Sequence, residues 1–179
     1  MKQNKLGLLV IALLLLFLIT ISVMSIETVD TIVDDAINTA ETTFHEAPSD
    51  PNHNVENFSI YIPRELEIDE RNKNNAVLVS NDGQSYILFI NDKENTLSQL
   101  NYETIQEQSN GEADWLKTFE DDERFGYVYI HPLEDNYEVQ IGIGGVKLTT
   151  ISSKQNIVND VEMMMDISNS VKYQIVEEG

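Results

Sequence analysis

The 179-residue chain contains no cysteine, which excludes disulfides, thiolate nucleophiles, iron–sulfur clusters and Cys-ligated zinc. Basic residues are scarce, with 11 Lys and Arg against 31 Asp and Glu and a formal charge of −20. A surface of that sign repels a polyphosphate backbone, so nucleic acid is excluded as a partner. Histidine occurs only at His45, His53 and His131, and the first two fall in or beside a Pro- and Asn-rich segment. Neither a helical HExxH pair nor a Ser-His-Asp arrangement has a visible scaffold. The chain also lacks G-x-S-x-G, the phosphate-binding G-x-x-x-x-G-K-[ST] and S-x-x-K. No catalytic residue, cofactor or metal ligand is therefore assigned. The length allows one domain of ordinary size plus a targeting or linking segment.

What is present begins with an uncharged run of 21 residues, Leu6 to Ile26, LGLLVIALLLLFLITISVMSI. As a helix rising about 1.5 Å per residue it would span the roughly 30 Å hydrocarbon core. Lys2 and Lys5 precede it and Glu27, Asp30, Asp34 and Asp35 follow. That bias keeps the N-terminus cytoplasmic and places the rest outside. The bilayer is thus the expected partner of residues 6–26. The competing reading is a secretory signal cleaved after Ser25, leaving a secreted acidic protein. Against it stand the c-region ISVMS, which lacks the Ala-x-Ala preference, and a helical pattern running on from the apolar segment.

Residues 27–44 read as an amphipathic juxtamembrane helix, with Val29, Val33, Ala36 and Ala40 on one face. That face could dock on the chain's own domain or support self-association through residues 26–44. The segment HEAPSDPNHNVEN, within residues 45–57, reads as a linker. An extracytoplasmic domain is expected over 58–176. Its cues are FSIYI ending at Pro63, the hairpin AVLVS-NDG-QSYILFIN, a weak helix over Glu94–Gln108 and three closely spaced strands, RFGYVYIH, NYEVQIGI and VKLTTIS. An amphipathic segment, SKQNIVNDVEMMMDISNSV, then supplies a cover, with Ser152 and Gln155 matching a capping box, and KYQIV suggests a last short strand. Strands first and a helix after them predict an α+β domain, a curved antiparallel sheet packed by a C-terminal helix.

The hairpin AVLVSNDGQSYILFIN and the closing strand, Gly turn, strand and helix of NYEVQIGIGGVKLTTISSKQNIVNDVEMMMDISNSVK resemble a known architecture. It is that of small Gram-positive membrane-anchored extracytoplasmic proteins, including the half-barrels of lipoprotein carriers and sigma-regulator sensors. The resemblance implies non-catalytic binding or sensing and transfers no functional residue.

Motifs that could carry chemistry each have a plainer reading. Gly142-Ile143-Gly144-Gly145 precedes a β-rich run rather than a helix, so it reads as a turn and not a phosphate loop. Asp50, Asn52 and Asn54 imitate the start of a calcium loop, but Val55 replaces its glycine and Tyr61 its bidentate Glu. Glu120 to Glu123 read as a solvated turn. Trp115, Tyr127 and Tyr129 are the candidate ligand or partner surface. If Val128 and Ile130 face the core, the tyrosine face forms an aromatic platform for a peptide or glycan; otherwise the tyrosines are half-buried with hydroxyls at the rim. The functional expectation is a membrane-anchored extracytoplasmic module for binding, sensing or assembly, attracting a basic protein partner by its acidity. Its rival is a cell-envelope hydrolase working with paired carboxylates.

Overall fold

A computed structural model of the chain describes residues 3–24, 28–55, 58–109 and 114–173. The Ser25 cleavage site, the Asn110-Gly111 helix stop and the tail beyond Tyr173 lie outside the described residues. Two helices, α1 (Gln3–Met24) and α2 (Val29–His45), come first. Strands β1 (His53–Val55), β2 (Phe58–Ile60), β3 (Leu66–Arg71), β4 (Asn75–Ser80) and β5 (Ser85–Ile90) follow. Then come α3 (Leu100–Gln108), β6 (Trp115–Glu120), β7 (Phe125–Pro132), β8 (Tyr137–Ile143), β9 (Val146–Ser152), α4 (Ile157–Asn169) and β10 (Lys172–Tyr173).

Seven strands form one antiparallel sheet in the order β3-β4-β5-β9-β8-β7-β6, and β1-β2-β10 form a second, small one. The α+β expectation, with an antiparallel sheet and a C-terminal helix, holds. The β4–β5 turn closes with Gly83 N–H on Ser80 O at 2.9 Å and Ser80 N–H on Gln84 O at 2.9 Å. Gly83 sits at φ +89°, where a side chain would be strained. Gly144, at φ +52°, turns β8 into β9 in the same way.

Period-2 alternation assigns the sheet two different faces. On one face Leu78, Leu88, Leu148, Ile141, Val139, Val128 and Ile130 are fully buried. Helix α4 covers β8 and β9 there, and α2 covers β6 and β7 while packing along α4. Val33, Ala36, Ala40 and Phe44 of α2 are as buried as the strand residues. The expected boundaries need correction here, because the amphipathic helix belongs to the domain core and the domain starts at α2 rather than at residue 58. The expected linker is also docked. Asn52 takes the N–H of Ile62 at 2.8 Å and gives its amide to Ile62 O at 2.9 Å, while Ser49 binds Asp166.

One further boundary differs, and one strand has no cue in the sequence. Helix α4 begins at Ile157 with Asn156 as N-cap, because Ser152 ends β9 and spends its hydroxyl on Asp160 rather than on a capping box. The polar stretch LEIDER is strand β3. It is a sheet edge with only Leu66 buried, so charge on the remaining positions costs nothing and discourages further pairing.

Helix α1 carries exposed Leu9, Val10, Ile11 and Leu13 to Leu18. Among the described residues no helix is long and apolar enough to cross a membrane; the described side chains of α1 are those of Gly7 and Leu9 to Leu18.

Candidate functional site: an acidic cleft beside the C-terminal helix

A cleft of about 660 Å³ opens between the N-terminal half of α4, the end of α2, the segment around Tyr61 and Pro63, and the β4–β5 hairpin. Its walls carry six carboxylates, Glu46, Glu65, Asp82, Asp160, Glu162 and Asp166, and no Lys, Arg or His. They come from several elements. Glu162 and Asp166 lie on the side of α4 away from the core residues Val161, Met164 and Met165, while Asp160, one turn before Met164, is itself buried at the edge of the core face. Asp82 is placed by the hairpin turn, where the Ser80 hydroxyl donates to it. That bond, with backbone help from Gln84, holds the Asp82 carboxyl below its ordinary value.

Three of the six are engaged in holding the cleft together. Asp160 is 5% exposed and accepts from Tyr86 Oη at 2.7 Å, Gln84 Nε2 at 2.8 Å and Ser152 Oγ at 2.5 Å. It thereby ties the first turn of α4 to β5 and β9, and the N-terminal end of a helix favours its charge. Burial pushes the Tyr86 hydroxyl well above its ordinary value, and the hydrogen bond and charge of Asp160 add to that. Asp166 accepts from the Ser49 N–H at 3.3 Å and from Ser49 Oγ at 2.9 Å. Among the described residues Glu46, Glu65 and Glu162 have no side-chain hydrogen bond or ion pair, so their charges are available to something entering the cleft.

The residues expected to form a ligand surface are not brought together. Trp115 pairs with Ile130 and packs against the α2/α4 core, whereas Tyr127 and Tyr129 point to the opposite sheet face and cluster with Ile105. Val128 and Ile130 are core, yet the tyrosine face is not an open platform, because α3 lies across it. Tyr127 is 2% exposed. Its ring lies over Gly142, where an added Cβ would come within 2.2 Å of Cε1. Burial pushes the Tyr127 hydroxyl well up.

Sequence reading missed a second cluster beside α3. Asp114 Oδ1 is 2.5 Å from His131 Nδ1, and its Oδ2 accepts from Ser109 Oγ at 3.0 Å and Tyr129 Oη at 3.1 Å. Burial raises the Asp114 carboxyl, but the bonds from His131, Ser109 and Tyr129 together outweigh it and hold the group below its ordinary value. The Tyr129 hydroxyl is pushed up to about 12 by burial, with the Asp114 bond adding to it.

The remaining motifs are structural. Asp121 in the acidic run takes both Nε and Nη2 of Arg124, at 3.2 and 2.7 Å. Among the described residues no group of three or more His, Asp or Glu is placed to hold a metal ion. Neither a protein-family model nor a curated protein sequence matches this chain.

Proposed function

We propose that this protein is a single-pass, membrane-anchored extracytoplasmic module that binds a basic segment of a partner protein in its acidic cleft, without catalysis. The observation that carries the reading is a cleft with six carboxylates and no cation in its walls. Such an arrangement raises the local concentration of positive charge and steers a cationic chain toward it. Glu46, Glu65 and Glu162 supply unspent charge, and Tyr61, Pro63 and Met163 supply apolar wall for the methylene stems of Lys or Arg.

The anchor rests on the uncharged run 6–26 and on the 22-residue backbone of α1, about 33 Å of helix at 1.5 Å per residue. Leucines exposed all round a helix suit lipid rather than water. The Lys2 and Lys5 side is cytoplasmic and the acidic domain lies outside.

A carboxylate hydrolase needs one acid free to give a proton and a second to act as base or nucleophile. Asp160 already has three donors on its two oxygens and serves the fold rather than such a pair.

The test is titration of a fluorescent oligolysine peptide against the full chain in a neutral detergent. Replacing Glu46, Glu65 and Glu162 with Gln should weaken binding about tenfold or more, and added salt should weaken the wild-type complex. The same neutralisation at Glu67, Asp69 and Glu70 on the β3 edge should have a much smaller effect. Equal losses from the two triple variants would reduce the interaction to net charge and overturn the cleft as the site.

A further inference from the structure

The acidic cleft does not end at Glu46 and Glu162. Both also line a second cavity, of about 620 Å³, that continues along the seam between α2 and α4 and is walled by Asp35, Asn38, Thr39 and Thr42 of α2 and Val158 of α4. The helical period accounts for it: Asp35, Asn38, Thr39, Thr42 and Glu46 recur at steps of 3, 1, 3 and 4, a polar stripe beside the buried stripe of Val33, Ala36, Ala40 and Phe44. Like the cleft, this seam has no Lys, Arg or His in its walls, so Asp35 adds negative charge at its far end.

Thr43 joins the two cavities. It lines both and is only 8% exposed. Its carbonyl takes the Asn169 amide at 2.8 Å, but among the described residues its hydroxyl makes no hydrogen bond. A hydroxyl so nearly buried costs free energy that a group entering the groove would return. The Asn38 amide and the Thr39 hydroxyl farther along also have no partner among the described residues, whereas Thr42 spends its hydroxyl on Asn38 O at 2.9 Å. Hydroxyls and an amide both donate and accept, which matches the N–H and C=O groups of a peptide backbone; a polyamine offers donors alone.

We propose that cleft and seam form one elongated site for an extended peptide with two cationic positions about five residues apart, the second of them held by Asp35. Asp35 and Glu46 are eleven positions apart, about 16 Å of helix at 1.5 Å per residue, which an extended chain covers in about five residues at roughly 3.3 Å each. The inference rests on the cleft being a cation-binding site and adds the length and spacing of what it takes.

Two fluorescent peptides of one composition test this on the full chain in a neutral detergent: Lys-Lys-Gly-Ser-Gly-Lys-Lys, with its cationic pairs spread, and Lys-Lys-Lys-Lys-Gly-Ser-Gly, with them contiguous. The spread peptide should bind about fivefold or more tightly than the contiguous one, because its second pair reaches a second carboxylate. Asp35→Asn should abolish that advantage and change the contiguous peptide by less than about twofold. Asp34→Asn, the same charge change at the adjacent exposed residue outside both cavities, should do neither. Thr43→Val should weaken the spread peptide about threefold. Equal affinity of the two peptides, or equal losses from Asp35→Asn and Asp34→Asn, would overturn the elongated site and leave the cleft standing. Spermine binding as tightly as the spread peptide would overturn the assignment to a peptide, and no binding of either peptide would overturn this inference and the cleft reading together.

Discussion

Asp160 shows how much depends on one residue: a buried carboxylate with three neutral donors joins α4 to two strands. Asp160→Ala leaves those donors facing an apolar methyl, and the expected loss is roughly 3 kcal/mol, measured as a shift in the urea midpoint at unchanged m-value. Gly142→Ala forces the Tyr127 ring aside and should cost roughly 1–3 kcal/mol, with a change in the near-ultraviolet tyrosine signal. Asp121 supplies a pH-dependent case. Burial raises its carboxyl, but the Arg124 guanidinium and the N–H groups of Glu123 and Arg124 outweigh that and hold it below 3.8. A carboxylate depressed on folding contributes stability that is complete above its unfolded value and is lost as pH falls through the folded one. Asp121→Asn should therefore be less stable by about 1 kcal/mol near neutrality, and the two proteins should converge below pH 3.8. A gap that persists into strong acid would contradict the pairing. None of these hubs was legible in the sequence. Asp160 and Tyr86 are 74 positions apart, and with 31 acids in the chain no spacing singles out one carboxylate.

Among the elements, those governed by local chemistry were legible and those governed by distant packing were not. Asp82-Gly83 announced the β4–β5 hairpin because only glycine takes φ +89° without strain. Val139, Ile141 and Ile143 of β8 alternate onto the core face, but Gly142 on the other face is buried too, beneath the Tyr127 ring. Strand β3 was hidden because an edge strand with one buried residue has no hydrophobic period to read. The apolar stripe of α2 was visible, but the surface it covers, β6, β7 and α4, lies beyond residue 114. Trp115, Tyr127 and Tyr129 looked like one surface because the sequence did not show that Trp115 stands on a neighbouring strand with its side chain on the opposite face. The docking of α2 carries a direct prediction. Residues 28–179 should fold without α1, whereas residues 46–179, deprived of Val33, Ala36, Ala40 and Phe44, should not. Burial of Val33 and Phe44 alone is worth roughly 1.5–3 kcal/mol each, a large part of a small domain's stability. Cooperative melting of the 46–179 fragment by circular dichroism would contradict the assignment of α2 to the core.

At the scale of the whole molecule the dominant quantity is charge. Removing Lys2 and Lys5 leaves nine basic residues against 31 acids, a net charge of −22 on the part after residue 26. Self-repulsion of that size opposes the compact state. The melting temperature of residues 28–179 should rise as monovalent salt goes from about 0.01 M to 0.15 M, which shortens the screening length from about 30 Å to about 8 Å. A flat or falling curve would show charges already compensated in pairs. Under the proposed anchoring, the same acidity gives the domain reason to stand away from an anionic leaflet. Anchoring with the domain outside is the claim on which the functional reading depends, and protease treatment of intact cells expressing the chain with an epitope at each end tests it most directly. The account predicts loss of the C-terminal epitope and survival of a short membrane-bound N-terminal fragment. Survival of both epitopes in intact cells, with cleavage only after lysis, would contradict it.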